Sequence, residues 1–165
     1  MVFSRPMSVT IREAKPADAV AACTVLRRSI TELCAADHHN DPAILSRWLA
    51  NKMPDIVASW IARPDSTVLL AVEAENVLAV GAVTDAGEIT LNYVSPNACF
   101  RGISRTLLRA LEQYAVERGN TEVRLLSTET ARRSYLAAGY TEKGPPSGKF
   151  GSSGSYPMSQ GFTAE

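Results

Sequence analysis

The chain has 165 residues, 45% of them hydrophobic, and its 17 basic and 17 acidic residues cancel at neutral pH. A chain of this length can bury a sizeable core, so we expect one domain over residues 1–165. The balanced charge, without a concentrated basic stripe, argues against nucleic acid or an anionic membrane as a partner. No apolar stretch of the sequence is long enough to span a bilayer.

The first residues and the cysteines indicate the compartment. Residues 1–10 lack the apolar core of a signal peptide, so we expect a cytoplasmic protein. Cys23, Cys34 and Cys99 are too few and too scattered for a disulfide framework, and no CxxC pair suggests structural zinc. We therefore expect three free thiols.

The first half of the chain predicts one strand and then helices. A strand over Val9–Glu13 follows a loose leader at residues 1–8. Pro16 opens an amphipathic helix whose apolar residues recur at helical spacing as far as Leu33. After a break at residues 37–42, two short helices at 43–52 and 54–63 are expected to form one variable lid or wall.

The second half predicts strands joined by tight turns and covered by helices. Short turns between the first three of these strands suit antiparallel hairpins. The expected strands are 67–73, 77–83, 88–94, 122–127, 140–143 and 156–162, with helices from Gly102 to Gly119 and over 129–138. A Gly/Ser/Pro-rich loop occupies residues 144–155. This order predicts an α/β fold with a mixed sheet.

The segment CFRGISRTLLRAL, which follows the strand-like stretch ITLNYV, predicts a phosphate site. Together the two segments resemble a strand whose carboxyl end leads into a loop, and the loop opens a helix at Gly102. Such a junction presents unpaired backbone N–H groups and the positive end of a helix dipole. We therefore expect a ligand that carries phosphate.

Two segments resemble the GNAT superfamily of acetyl-CoA-dependent N-acetyltransferases, and the resemblance spans residues 9–162. YVSPNACFRGISRTLL is similar to the family's pyrophosphate loop, and STETARRSYLAAGY to its late strand-to-helix stretch. Aligned on Gly102, the chain has Cys99 where the family has Gln or Arg, and Ser104 where it has Gly or Ala. Arg101 and Arg105 are expected to supply the missing positive charge.

The resemblance implies a fold, a cosubstrate and a set of contacts. The fold is a mostly antiparallel central sheet, flanked by helices and splayed near the end of the fourth strand. Acetyl-CoA is the cosubstrate, no metal is needed, and acetyl passes directly to an amine in a ternary complex. The implied cofactor-binding residues are Tyr93, Val94, Cys99, Phe100, Arg101, Gly102, Ile103, Ser104, Arg105, Thr130 and Arg132.

The chemistry needs a neutral amine, a stabilised oxyanion and a protonated leaving thiolate. The resemblance assigns the oxyanion to a backbone N–H near Val94 and the acid to Tyr135. A half-buried helix aromatic is the alternative for Tyr135. Glu88 is the candidate base, with a solvent-facing glutamate and a water relay as the alternative. Strict alternation would place Glu88, Thr90 and Asn92 on one face of their strand and Ile89, Leu91 and Tyr93 on the other.

The region after the first long helix is where relatives vary the acceptor pocket. We expect Glu32, Cys34, His38 and Asn92 to contact a small-molecule or peptide amine. A metal site at Cys34, Asp37, His38 and His39 is the weaker alternative, because adjacent histidines usually point apart. A homodimer, transfer of a longer acyl group or to oxygen, and a non-catalytic acyl-CoA-binding sensor remain open.

Overall fold

A mixed seven-stranded sheet forms the centre of the computed structural model, which describes residues 8–147 and 155–163. The strands are β1 (Val9–Glu13), β2 (Ser66–Glu73), β3 (Asn76–Thr84), β4 (Glu88–Val94), β5 (Glu122–Ser127), β6 (Thr141–Glu142) and β7 (Tyr156–Gly161). Every predicted strand is present, and β1, β4 and β5 have the predicted bounds. Residues 1–7 of the expected leader and 148–154 of the expected loop lie outside the described residues.

Six α-helices flank the sheet in the described part of the chain. They are α1 (Ala19–Leu33), α2 (Ala35–His38), α3 (Pro42–Leu49), α4 (Pro54–Ile61), α5 (Ile103–Glu117) and α6 (Arg132–Ala137). The short helix α2 was not predicted, and the expected break is confined to the residues after it, where His39 and Asn40 adopt left-handed φ angles. None of the described helices is long and apolar enough to cross a bilayer.

The strand order is β1-β2-β3-β4-β5-β7-β6, and neighbours are antiparallel except for β4 and β5. A parallel pair needs a crossover connection, which α5 supplies. β4 and β5 pair only at Glu88 with Arg124 and Ile89 with Leu125, and the strands part beyond these positions. The expected α/β fold, with a mostly antiparallel sheet splayed at its fourth strand, is confirmed.

Apolar side chains cover both faces of the sheet. Successive residues of β2 alternate between two clusters, with Leu69 and Ala71 in one and Leu70 and Val72 in the other. α5 packs on the first face through Leu107, Leu108 and Leu111. α1 and α4 pack on the second face through Ala22, Leu26 and Val57. The central strands are therefore held from both sides.

β4 contains a bulge at Thr90. Ile89 and Leu91 pair with adjacent residues of β3, so Thr90 between them has no partner in the ladder. Ile89 consequently packs in the α5 cluster, whereas Leu91 and Tyr93 pack with α1 and α4. The expectation that these three apolar residues share one face was wrong, because the extra residue reverses the alternation.

The same bulge separates two polar residues that we expected on one face. Glu88 precedes the bulge and Asn92 follows it, so the two side chains leave opposite faces of β4. Asn92 lies on the face that α5 covers, and Glu88 lies at the exposed start of the strand.

We expect Gly87→Ala to destabilise the protein more than Gly119→Ala. Both glycines have left-handed φ angles, of +85° and +88°, so each alanine strains the backbone by about 1–2 kcal/mol. At Gly87 a Cβ would also lie 2.8 Å from the backbone oxygen of Glu122, next to the β4–β5 pair, whereas at Gly119 it would meet nothing within 4 Å. The overlap should cost a further ~1–3 kcal/mol.

Urea denaturation of the two variants measures this difference directly. Equal losses in the free energy of unfolding would show that the contact with the Glu122 carbonyl does not constrain this end of the sheet.

Candidate active site

The gap between β4 and β5 opens into a cleft of about 560 Å³. Its walls come from both strands, from the end of α1, from the start of α5 and from α6. A cleft at the carboxyl end of a parallel pair is a common location for a ligand site in α/β folds.

The backbone of β4 offers free hydrogen-bonding groups to this cleft. The N–H of Ser95 donates to the carbonyl of Leu78 at 2.7 Å. Hydrogen-bonded and non-bonded pairs alternate along an antiparallel ladder, so the backbone groups of Val94 and Asn92 point away from β3. β5 pairs with β4 only at Glu88 and Ile89, the first two residues of β4, so the backbone groups of Asn92 and Val94 are available to an extended ligand.

The start of α5 presents uncapped backbone donors to the cleft. Gly102 has a φ angle of +73°, and no side chain caps the first N–H groups of the helix. A Cβ at Gly102 would meet nothing within 4 Å, so the approach to these donors is open. Ser104 and Arg105 also line the cleft. Uncapped donors, a helix dipole and a guanidinium fit the phosphates of the expected cosubstrate.

The other residues of the loop before α5 differ in their placement. Cys99 lines the cleft, and its thiol donates to the carbonyl of Pro96 at 3.2 Å. Phe100 also lines the cleft, with a left-handed φ of 65° and a fully exposed ring. Arg101 forms an ion pair with Glu73, and Ile103 is buried in the α5 cluster. Among the described residues, the positive charge at the cleft therefore comes from Arg105.

Tyr135 of α6 reaches the centre of the cleft opposite β4. Its side chain is only 8% exposed, and the Nδ2 of Asn92 donates to the phenol oxygen at 3.0 Å. Burial raises the pKa of Tyr135 to about 12, although the Asn92 hydrogen bond lowers it. The ring packs edge-on against Tyr140, with 5.6 Å between ring centroids. Tyr135 is thus a fixed, neutral phenol at ordinary pH.

Asp37 joins α2 to the segment that precedes α6. Its fully buried carboxylate accepts from the backbone N–H of Glu129 at 2.6 Å and of Thr130 at 3.1 Å. The Thr130 hydroxyl donates to it as well, at 2.6 Å. These bonds hold residues 129–131 in a turn, so α6 begins at Arg132 rather than at the predicted residue 129. No local signal marked Asp37 for this role, because its partners are more than 90 residues away in sequence.

The predicted acceptor residues lie in different environments. Cys34 lines the cleft, and burial, with the nearby Asp37 charge, raises its pKa to about 12. His38 is fully buried and held by backbone groups: its Nδ1 accepts from the N–H of Asn40 at 2.9 Å, so the proton is on Nε2, which faces the carbonyl of Ile30.

Three more of the predicted residues lie outside the cleft lining. Glu32 is exposed on α1 and pairs with Arg28 at 2.9 Å. Arg132 pairs with Glu142, and its guanidinium lies 4.4 Å from the ring centroid of Tyr156. Glu88 is exposed at the paired end of β4.

The cleft therefore gathers most of the predicted site residues. Those that line it are Cys34, Asn92, Tyr93, Val94, Cys99, Phe100, Gly102, Ser104, Arg105, Thr130 and Tyr135. Those that the structure places elsewhere are Glu32, His38, Glu88, Arg101, Ile103 and Arg132. Sequence reasoning missed Ser29 and Leu33, which look like ordinary residues of an amphipathic helix. In the described ranges no group of three or more His, Cys, Asp and Glu side chains is placed to hold a metal ion.

Solved structures with the same fold include acetyltransferases with different acceptors. PaiA N-acetyltransferase from Thermoplasma acidophilum, in complex with coenzyme A, is 18% identical with a TM-score of 0.81, covering 94% of this chain and all of that one. Aminoglycoside 6'-N-acetyltransferase from Enterococcus faecium is 15% identical with a TM-score of 0.68, covering 94% and 98%. Ribosomal-protein-S18-alanine N-acetyltransferase from Escherichia coli is 16% identical with a TM-score of 0.62, covering 96% of each chain.

The sequence itself also matches a family. Comparison with curated proteins finds no match. Residues 35–159, which cover most of the chain and all of the cleft lining except Ser29, Leu33 and Cys34, match the acetyltransferase (GNAT) domain. The chain belongs to the GNAT acetyltransferase family.

Proposed function

We propose that the protein transfers an acetyl group from acetyl-CoA to an amine by direct attack within a ternary complex. The observation that carries this proposal is one continuous cleft that joins an uncapped helix start to a buried phenol. Acetyl-CoA supplies an activated acetyl thioester when bound. The remaining steps fall to groups of this chain.

Different residues along the cleft bind different parts of acetyl-CoA. The first N–H groups of α5, with Arg105, bind the phosphates. The free backbone groups of Asn92 and the carbonyl of Val94 pair with the amides of the pantetheine arm as a neighbouring strand would, which leaves the N–H of Val94 unused. The N–H of Val94 then donates to the acetyl carbonyl oxygen as negative charge develops there.

Tyr135 acts as the acid that protonates the leaving sulfur. A phenol with a pKa of about 12 stays protonated at physiological pH, which is the form that an acid needs. Proton transfer to a thiolate of ordinary pKa is uphill by roughly 5 kcal/mol. This cost lies well within the ~16 kcal/mol barrier of a typical enzyme.

The proton of the attacking amine is released to water rather than directly to Glu88. Six residue steps of β4 separate Glu88 from Val94. At about 3.3 Å per residue this is roughly 20 Å along the strand. A direct transfer over that distance is impossible, so a chain of water molecules is required.

The acceptor amine enters beside the end of α1, where Ser29, Leu33 and Cys34 line the cleft. Burial keeps the Cys34 thiol protonated, so this wall is uncharged. The names of the solved structures with this fold include both an aminoglycoside and an alanine of ribosomal protein S18 as acceptors. A small-molecule amine and a peptide amine are therefore both candidate acceptors. The competing function, a sensor that binds acyl-CoA without turnover, is favoured by the uncharged Cys99 in the phosphate loop.

Calorimetric titration with acetyl-CoA, followed by thiol release with a panel of small amines and N-terminal peptides, tests the activity. We expect micromolar binding and amine-dependent release of CoA thiol. Binding without release for any amine would favour the sensor. Absence of binding would contradict the phosphate seat at α5.

We expect Tyr135→Phe to lower kcat by about 10²–10³-fold, because the acid is lost. Its affinity for acetyl-CoA should stay the same. Tyr114→Phe is the matched control, since the Tyr114 hydroxyl donates to Glu13 outside the cleft and its loss should leave kcat unchanged. An unchanged kcat for Tyr135→Phe would remove it from the mechanism.

Glu88→Gln should change kcat/KM less than about threefold and leave its pH profile in place, because Glu88 lies outside the cleft lining. Steady-state rates between pH 6 and 10 measure this. Loss of the low-pH limb in the variant, where a general base becomes protonated, would restore Glu88 as the base.

Phe100→Ala should weaken acetyl-CoA binding by about tenfold, since an exposed ring held at a strained φ beside the phosphate seat is suited to stack on the adenine. Acetyl-pantetheine, which lacks the nucleotide, is the control and should bind both proteins equally. An equal loss for both ligands would show that Phe100 shapes the loop instead.

A further inference from the structure

Asn92 and Tyr135 form an isolated polar pair inside the cleft. The Asn92 amide nitrogen lies 3.0 Å from the phenol oxygen, and the two residues come from β4 and α6, 43 positions apart in sequence. Among the described residues no other polar group bonds to this phenol. We propose that Asn92 is a positioning residue for the acid Tyr135, a proposal that rests on the acetyl transfer proposed above.

The direction of this hydrogen bond determines where the phenol proton points. An amide NH₂ group donates and does not accept, so Asn92 occupies a lone pair of the phenol oxygen and leaves its hydrogen free. The hydrogen then turns towards the open cleft, where the sulfur of the cosubstrate lies in the proposed reaction. Asn92 thus presents the proton without competing for it.

The same bond stabilises the product of the proton transfer. The O–H bond of Tyr135 breaks, an S–H bond forms, and negative charge remains on the phenol oxygen. The N–H of Asn92 then donates to a charged oxygen, which is a stronger hydrogen bond than one to a neutral phenol. The proton that the amine nitrogen loses returns to Tyr135 through water, so no charge accumulates.

The remaining atom of the Asn92 amide supports a functional role for this residue. Its Oδ1 is buried and has no hydrogen-bond partner among the described residues. A buried, unsatisfied carbonyl is unfavourable for folding, so the amide is not explained by its own hydrogen bonding. The bulge at Thr90 directs this side chain to the face where Tyr135 lies.

Rotation of the amide by 180° would give the opposite chemistry. Oδ1 would then accept the phenol hydrogen and hold it away from the sulfur. The two arrangements predict opposite effects for Asn92→Asp, because an ionised carboxylate has nearly the shape of the amide but only accepts.

Single-turnover rates of acetyl transfer at pH 8 for Asn92→Ala, Asn92→Asp, Tyr135→Phe and the double variant Asn92→Ala/Tyr135→Phe test the proposal. We expect about a tenfold loss for Asn92→Ala, a loss at least as large for Asn92→Asp, and less than a twofold change in acetyl-CoA affinity for either. In the Tyr135→Phe background, Asn92→Ala should cause no further loss, since its effect passes through the phenol proton.

Four results would overturn the proposal. Additive losses in the double variant would show that Asn92 acts independently of Tyr135. A loss confined to acetyl-CoA affinity would make it a binding residue. Full activity in Asn92→Asp would show that the amide accepts from the phenol. An unaltered rate in Tyr135→Phe, with transfer activity intact, would remove the acid itself, whereas failure of the proposed function would appear as an inactive wild-type protein.

Discussion

The site depends on the short pairing between β4 and β5. Two parallel strands that touch at only two registered positions leave most of their facing edges unsatisfied. Exposed strand edges attract an extended partner, and in this fold the edge is enclosed by α5 on one side and α1 on the other. The cleft is therefore a gap in the main-chain hydrogen bonding of the sheet. The side chains around the cleft line this gap but do not create it.

Two local features bring Asn92 and Tyr135 together in this gap. The bulge at Thr90 sends Asn92 to the side of Tyr135, and the turn at residues 129–131 places α6 so that the phenol meets the amide. Neither feature contributes much hydrophobic burial. Each feature changes the direction of a side chain or a helix and has little effect on stability, which is the usual role of bulges and tight turns near reactive groups.

Much of the fold follows from local sequence patterns, whereas the contacts across the cleft do not. The strand over Glu88–Val94 was predicted with its observed bounds because period-two hydrophobicity is a property of neighbouring residues. The bulge at Thr90 left no such mark, so the assignment of Glu88 and Asn92 to one face was wrong. Gly102, Ser104 and Arg105 lie at the cleft because a loop-to-helix motif specifies its own geometry. The placement of His38 and Arg132 depends on partners that only the tertiary structure supplies.

The bond from Asp37 to Thr130 has a consequence for how acceptors are discriminated. The side of the cleft near Cys34, where we propose that the acceptor binds, is joined by this buried carboxylate to the segment before the helix that carries Tyr135, and Thr130 precedes Tyr135 by little more than one helical turn. In the proposed reaction, an acceptor that displaces this side of the cleft would also displace Tyr135. Poorly fitting amines should thus be rejected through slow chemistry as well as through weak binding, so that selectivity is expressed in turnover.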